Sequence, residues 1–262
     1  MNLDLSNKSA LVCGSTQGIG KAVAMELAQM GAKIILMARN EESLRSVKAE
    51  LSTSKGQQHD FIVVDFTKPE ELKDKINRYV IRNGAVNILV NNTGGPPGGP
   101  MVLAKTEEFT QAFSNHLLCN HILVQTLMDG MIRSGYGRIV NIISTSVKQP
   151  LHGLGVSNTI RAAVANWSKT LSIELGPFGI TVNNVLPGAT NTARLSAILE
   201  NKSTKSGLTI DEVKKEMLAE IPAGRFAEAS EVANAVAFLV SPAAAYISGI
   251  NVPVDGGRTG CL

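Results

Sequence analysis

Short apolar runs alternate with segments of helical periodicity along most of this chain of 262 residues. Apolar strands that are separated by helices are typical of a parallel sheet covered by helices on both faces. The predicted strands are residues 9–13, 34–37, 61–65, 88–91, 138–143, 181–185 and 251–254. The predicted helices are residues 19–30, 41–53, 69–82, 107–134 and 157–175, with two short ones within 190–220. We therefore predict an α/β fold with one doubly wound parallel sheet of seven strands.

A glycine-rich loop lies between the first predicted strand and the helix that follows it. Glycine tolerates the backbone angles of a tight turn, and the first N–H groups of a helix lack partners within it. A strand, glycine turn, helix and second strand form the dinucleotide-binding half of a Rossmann fold, although a purely structural turn is the alternative. The predicted phosphate-binding residues are Gly14, Ser15, Gln17, Gly18, Ile19 and Gly20. We predict a single Rossmann-type domain over residues 1–262.

The choice between the two dinucleotides depends on the residue about 20 positions beyond the glycines. Ala38 and Arg39 stand there, without a carboxylate. Because a guanidinium can hold a phosphate through two hydrogen bonds, Arg39 predicts NADP rather than NAD, with a solvated arginine as the alternative. Asp65, which ends the third predicted strand, is expected to accept a hydrogen bond from the adenine amino group. Its alternative role is to cap the helix after Phe66.

Composition and charge exclude several classes of function. A net charge of +3, from 25 basic and 22 acidic residues, is too small and too dispersed to predict binding to nucleic acid or to a membrane surface. No apolar run approaches the length of a membrane helix, and Met1–Leu5 lack the basic and apolar pattern of a leader. Cys13, Cys119 and Cys261 are too scattered for a disulfide framework or a metal site, which predicts a reducing cytoplasm and no metal.

Several motifs together resemble the short-chain dehydrogenase/reductase family over the whole chain. They are the glycine loop, Asp65, Asn91-Asn92-Thr93-Gly94, Asn141 with Ser144, Pro187-Gly188 with Thr192, and Val254-Asp255-Gly256-Gly257. The classical branch that includes 3-oxoacyl-acyl-carrier-protein reductases is most similar, because it also carries a segment like residues 221–226. The resemblance implies the strand order 3-2-1-4-5-6-7 and a cytoplasmic homotetramer or homodimer that binds NADP. It also implies cofactor contacts for Phe66, Asn91, Thr93, Gly94, Pro187, Gly188 and Thr192.

The catalytic positions depart from that family's pattern. The family uses a serine, a tyrosine, a lysine four residues after the tyrosine, and an asparagine. Ser144 fits the serine, whereas Ser157, Arg161 and His116 stand at the other three positions. A serine hydroxyl is far less acidic than a tyrosine hydroxyl, which titrates near pH 10, and an arginine almost never gives up its proton. We therefore expect the usual proton relay to be absent.

Two functions fit this sequence. The first is an NADPH-dependent reductase acting on a small carbonyl or alcohol, in which Ser144 and Ser157 hold the oxygen and Arg161 supplies positive charge. A water molecule, His116 or His152 would then deliver the proton, since a histidine titrates near neutral pH. The second is a regulator or structural partner that binds NADP without turnover. Hydrolysis by a serine and histidine pair is disfavoured, because no glycine-flanked nucleophile elbow surrounds either serine.

The region from about residue 190 to 220 is more polar and interrupts the alternation of strands and helices. Loops and insertions of this kind often carry function. We predict that this region is a substrate lid, with a surface excursion of no function as the alternative. Arg194 and Lys202 within it are candidates to meet an anionic group.

Overall fold

All seven strands pair in parallel within one sheet, in the order β3-β2-β1-β4-β5-β6-β7. The computed structural model describes residues 1–261, and Leu262, the last residue of the predicted domain, lies outside the described residues. The strands are β1 (Ser9–Cys13), β2 (Lys33–Ala38), β3 (Asp60–Val63), β4 (Ile88–Asn91), β5 (Gly137–Ile142), β6 (Ile180–Pro187) and β7 (Asn251–Val254). The predicted fold class and strand order are confirmed.

Helices connect the strands and cover both faces of the sheet. Within residues 1–261 they are α1 (Gly18–Gln29), α2 (Glu41–Glu50), α3 (Pro69–Asn83), α4 (Thr106–Phe113), α5 (Cys119–Ser134), α6 (Gly155–Leu175), α7 (Ala193–Ser206), α8 (Ile210–Ala219) and α9 (Ala229–Val240). No sequence pattern above predicts α9, because its continuous apolar run from 236 to 240 does not distinguish a strand from a buried helix. None of the helices in the described part of the chain is long and apolar enough to cross a membrane.

The core has two layers because successive strand residues point to opposite faces of the sheet. Ala10 and Val12 of β1 pack with residues of α1 and α9 on one face. Leu11 and Cys13 pack with residues of α3 and α5 on the other. Since both faces are buried, the loops at the carboxyl ends of the strands are the places left to bind a ligand.

A π turn interrupts the long helix that the sequence predicts from residue 107 to 134. Residues Ser114–Leu118 form this turn between α4 and α5. A π turn bonds each N–H to the carbonyl five residues earlier, so it inserts one residue and redirects the neighbouring side chains. Such turns are frequent at functional sites, and His116 lies within this one.

The helices α7 and α8 have a small apolar core of their own. Leu195 of α7 packs with Val213 and Met217 of α8 and with Phe226, apart from the two main layers. The segment begins just beyond the carboxyl end of β6, at the edge of the sheet where such folds bind ligands. Its role as a substrate lid stays a prediction.

Candidate active site and cofactor cleft

The glycine loop has the geometry of a phosphate cradle. Gly14 and Gly18 adopt left-handed φ angles of +58° and +53°, which side chains other than glycine rarely allow. A Cβ atom at Gly20 would overlap the carbonyl oxygen of Gly14. Helix α1 begins without a side-chain cap from Gln17 and without an acidic residue in its first turn. Its first N–H groups are therefore free to bind an anion.

Side chains from two other segments support this loop. The Ser15 hydroxyl is fully buried and accepts a hydrogen bond of 3.0 Å from the Met37 N–H. The Asn92 side chain donates to the carbonyl oxygens of Cys13 and Gly14 at 3.2 and 3.3 Å. The side chain of Ser15 thus fixes the loop to β2, and Asn92 is a supporting residue that the sequence analysis does not single out for this role.

The start of the predicted lid lies against the same loop. A Cβ atom at Gly18 would come within 3.1 Å of the Thr192 Cγ2 atom, so Gly18 and Thr192 are close neighbours. Ile19 packs against the core, and Gly188 donates its N–H to the Val254 carbonyl oxygen at 2.9 Å. The structure thus brings Gly18 and Thr192, which are distant in the sequence, to one side of the cleft.

Arg39 and Asp65 stand at the end of the cleft expected to hold the adenosine. Arg39 is exposed directly after β2. Asp65 accepts a hydrogen bond of 2.9 Å from the Thr67 N–H, and this bond lowers the pKa of the carboxyl, with a smaller contribution from the charge of Arg39. Asp65 therefore stabilises the turn before α3, while Phe66 is half-buried against the core. The hydrogen bond from the adenine amino group to Asp65 stays a prediction, and so does the contact of Phe66 with the cofactor.

Four asparagines, three of them buried and one (Asn251) partly exposed, form a ladder across neighbouring strands. The Asn91 side chain donates to Asn141 at 2.8 Å, Asn141 donates to Asn184 at 2.9 Å, and Asn184 donates to Asn251 at 2.8 Å. The Oδ1 atom of Asn91 is buried without a partner. Asn91 thus binds its neighbouring strand, and its contact with the adenosine is not tested. Recurrence of asparagine near the carboxyl ends of β4, β5 and β6 is the sequence signal for the ladder.

Two of the catalytic candidates, Ser144 and Arg161, lie at the carboxyl end of β5. Ser144 follows this strand, and its hydroxyl accepts a hydrogen bond of 3.1 Å from the Ser146 N–H. Ser157 and Arg161 lie one helical turn apart on α6, and both are buried. The Arg161 guanidinium donates through Nη1 to the carbonyl oxygen of Ile142 at 2.8 Å. This bond places positive charge beside the last residue of β5, two residues before Ser144.

His116 faces the loop after β4. Its Nδ1 atom lies 2.5 Å from the Thr93 Oγ1 atom, and the residue is buried in the π turn. Burial and, to a smaller extent, the charges of Arg161 and Arg194 lower the pKa of His116 to about 3. His116 is therefore neutral at pH 7, so the expectation that it titrates near neutral pH is wrong. His152 is exposed in the loop that precedes α6.

Arg194 connects the start of α7 with the glycine-rich loop after β4. Its guanidinium donates to the carbonyl oxygens of Gly95 and Pro96 at 3.2 and 3.5 Å. Burial lowers the pKa of Arg194, and its charge lowers the pKa of Arg161 as well. The two guanidinium groups and the neutral imidazole are thus close enough to interact electrostatically, with Arg161 and His116 buried and Arg194 exposed. Unlike Gly14 and Gly20, Gly94 has open space where a Cβ atom would stand, so packing does not require glycine at this position.

Comparisons with known proteins agree with this architecture. The protein family described as enoyl-(acyl carrier protein) reductase matches residues 14–259. The 3-oxoacyl-[acyl-carrier-protein] reductase FabG of Vibrio cholerae is 34% identical over 258 residues, which are 97% of this chain and 98% of that protein. A solved short chain dehydrogenase/reductase family protein is 28% identical, with a TM-score of 0.83 and coverage of 98% of this chain and 100% of that one. The chain belongs to the short-chain dehydrogenase/reductase family.

A second solved structure has a higher TM-score. L-sorbose reductase from Gluconobacter frateurii, in complex with NADPH and L-sorbose, is 30% identical with a TM-score of 0.93, and each chain is fully covered. The resemblance stated from the motifs is confirmed. Both FabG and L-sorbose reductase are named as reductases, and the matches cover the chain from the glycine loop to the residues after β7.

Proposed function

We propose that this protein is an NADP(H)-dependent reductase that transfers hydride between the cofactor and a carbonyl or alcohol group of a small molecule. The observation that carries the proposal is the position of Arg161, whose guanidinium is held at the carboxyl end of β5 near Ser144 and one turn from Ser157. The reductase names of the relatives and the NADPH in L-sorbose reductase support it.

The cleft fits NADP. The uncapped N-terminus of α1 and the cradle from Gly14 to Gly20 suit the pyrophosphate, since a Cβ atom at Gly20 would fill the turn. Exposed Arg39 suits the phosphate on the adenosine ribose, with Asp65 beside it. Pro187, Gly188 and Thr192 continue the cleft towards the catalytic residues, and Arg161 supplies donors for the hydroxyls of the second ribose.

The catalytic residues stabilise the oxygen of the reacting group. NADPH supplies the hydride when it is bound. As the carbonyl oxygen gains negative charge, the hydroxyls of Ser144 and Ser157 donate hydrogen bonds to it, and the Arg161 guanidinium stabilises the charge. A proton from water completes the alcohol. Because His116 is neutral, we assign it to the hydrogen-bonded path with Thr93 rather than to donation from an imidazolium.

Steady-state oxidation of NADPH against a broad panel of carbonyl compounds tests the proposal. We expect turnover with at least one compound, a lower kcat in Ser157→Ala, and weaker NADPH binding with lower activity in Arg161→Ala. The double variant with Ser157→Tyr and Arg161→Lys restores the family pattern and is expected to reduce more of the panel. Tight NADPH binding without oxidation by any compound would contradict the proposal and favour a binding protein without turnover.

We further propose that residues 190–220 form the substrate lid of a single domain and that the protein is a cytoplasmic homotetramer. Contacts of Thr192 and Arg194 with the cleft support the lid. Exposed Phe113, Leu118 and Ile173 on the helices that cover one face support an oligomer. The free cysteines support a reducing compartment. Light scattering after gel filtration measures the oligomeric state, and a monomer at micromolar concentration would exclude the tetramer.

A further inference from the structure

Two guanidinium groups near the catalytic candidates, the buried one of Arg161 and the exposed one of Arg194, have no carboxylate partner. Arg161 is nine-tenths buried, and its Nε atom has no hydrogen-bond partner. Arg194 donates to the carbonyl oxygens of Gly95 and Pro96, which carry no full charge. Neither arginine takes part in the ion pairs found within residues 1–261. The pocket therefore holds excess positive charge.

This arrangement is unfavourable without an anion. A buried cation costs several kcal/mol of free energy unless an opposite charge or enough acceptors surround it. Two like charges in one pocket add repulsion, and burial together with the charge of Arg194 lowers the pKa of Arg161 to about 10. A bound anion would neutralise both groups.

We propose that Arg161 and Arg194 bind a carboxylate group of the substrate, so that the preferred substrate is an oxo acid rather than a neutral ketone. The inference rests on the proposed reductase function. Arg161 belongs to the rigid helix α6, whereas Arg194 belongs to the start of the predicted lid. A carboxylate between them would draw the lid onto the pocket and would place the adjacent carbonyl group near Ser144 and Ser157.

The phosphates of the cofactor have other partners. The cradle at the start of α1 follows β1, and Arg39 follows β2. Arg161 is bonded to the end of β5, which is separated from β1 by β4. Two strand spacings amount to about 10 Å, so a pyrophosphate in the cradle would not neutralise Arg161. The charge of Arg161 is thus assigned to a substrate group.

Pairs of oxo acids and their methyl esters test the proposal, because each pair has the same carbonyl group with and without the charge. The probes are pyruvate, benzoylformate and acetoacetate, each with its ester. We expect a higher kcat/KM for the acids, and we expect the ratio of acid to ester to fall about 10- to 100-fold in Arg194→Gln. Lys205→Gln is the control, since it removes an exposed charge from the same helix and should leave the ratio unchanged.

Each outcome decides the proposal. Equal or better turnover of the esters would overturn it. If Arg194→Gln weakens NADPH binding but leaves the acid to ester ratio unchanged, the anion is a cofactor phosphate and the proposal is wrong. If no carbonyl compound is reduced, the proposed function fails. Calorimetry of malonate and oxamate binding to the NADP⁺ complex then shows whether Arg161 and Arg194 form an anion site. Binding that is lost in Arg194→Gln would support the site, and no binding at about 10 mM would overturn it.

Discussion

Replacement of the buried Arg161 by methionine is expected to make the cofactor-free protein more stable while it removes activity. Methionine fills most of the space of the arginine side chain without a charge. The guanidinium is nine-tenths buried and has a single hydrogen bond, from Nη1 to the Ile142 carbonyl oxygen. Removal of a buried, unpaired charge relieves the folded state, whereas the unfolded chain solvates either side chain freely.

The size of the gain follows from the surroundings of Arg161. Its pKa falls from 12.5 to about 10 in the folded protein, so the folded state disfavours the charged form that exists at pH 7. At 1.36 kcal/mol for each tenfold change, this corresponds to about 3 kcal/mol. Loss of the hydrogen bond to Ile142 offsets about 1 kcal/mol. We therefore expect the free energy of unfolding to rise by about 2 kcal/mol, or Tm by about 4 to 8 °C.

Equilibrium unfolding in urea at pH 7, followed by circular dichroism and by the fluorescence of the single Trp167, measures this change. Arg138→Met is the matched control. Arg138 is also buried, but it donates to the carbonyl oxygens of Gly137 and Gly179 and lies over the Tyr136 ring at 4.1 Å. Burial lowers the pKa of Arg138 too, and its Nε atom has no partner, but its two hydrogen bonds and the ring offset this cost. Its replacement is therefore expected to change the free energy of unfolding by less than about 1 kcal/mol. If Arg161→Met is as stable as wild type or less, the argument from uncompensated charge is refuted.

Three further predictions concern the cofactor cleft and His116. Gly20→Ala is expected to weaken NADPH binding about 100-fold in calorimetry, because its Cβ atom would overlap the Gly14 carbonyl oxygen. Gly176→Ala is the control and should bind NADPH normally, since a Cβ atom there meets no other atom. Equal affinities of the two variants would contradict the phosphate cradle. Arg39→Ser should lower the preference for NADPH over NADH in kcat/KM by about 10- to 100-fold, and an unchanged preference would remove Arg39 from the site. The pKa of His116 lies near 3 in the folded protein and near 6.5 in the unfolded chain, so protons favour the unfolded chain as the pH falls below about 6.5. Between pH 7 and pH 5 wild type should therefore lose about 2 kcal/mol more stability than His116→Asn, and parallel curves would show that His116 is accessible to protons.

The fold was predictable from sequence because its signals are local. Apolar runs, the glycine loop and Pro69 at the start of α3 each act within a few residues, and the observed elements match them to within a few positions. The π turn at Ser114–Leu118 left no such signal, since it inserts a residue without breaking the helical pattern. Helix α9 was missed because its continuous apolar run from 236 to 240 does not distinguish a strand from a buried helix.

The candidate site was less predictable because its properties come from contacts between distant segments. The replacements of the family's tyrosine and lysine by Ser157 and Arg161 could be read directly from the sequence. The neutrality of His116, however, depends on burial and on two arginines, one of which, Arg194, is 78 positions away in the chain. The asparagine ladder likewise depends on strand register, which places Asn91 opposite Asn141. Long-range electrostatics and register exist only in the folded chain.

Transfer of deuterium from the reduced nicotinamide to the product tests the central claim most directly. NADPH labelled at C4 on the transferred side is mixed with a stoichiometric amount of the protein and the carbonyl panel, and the alcohols are analysed by mass spectrometry. We expect one deuterium on the carbon that carries the new hydroxyl group. When an oxo acid is the substrate, the hydroxy acid formed from it should carry this deuterium. Absence of label from every product, in protein shown to bind NADPH, would contradict hydride transfer by this site.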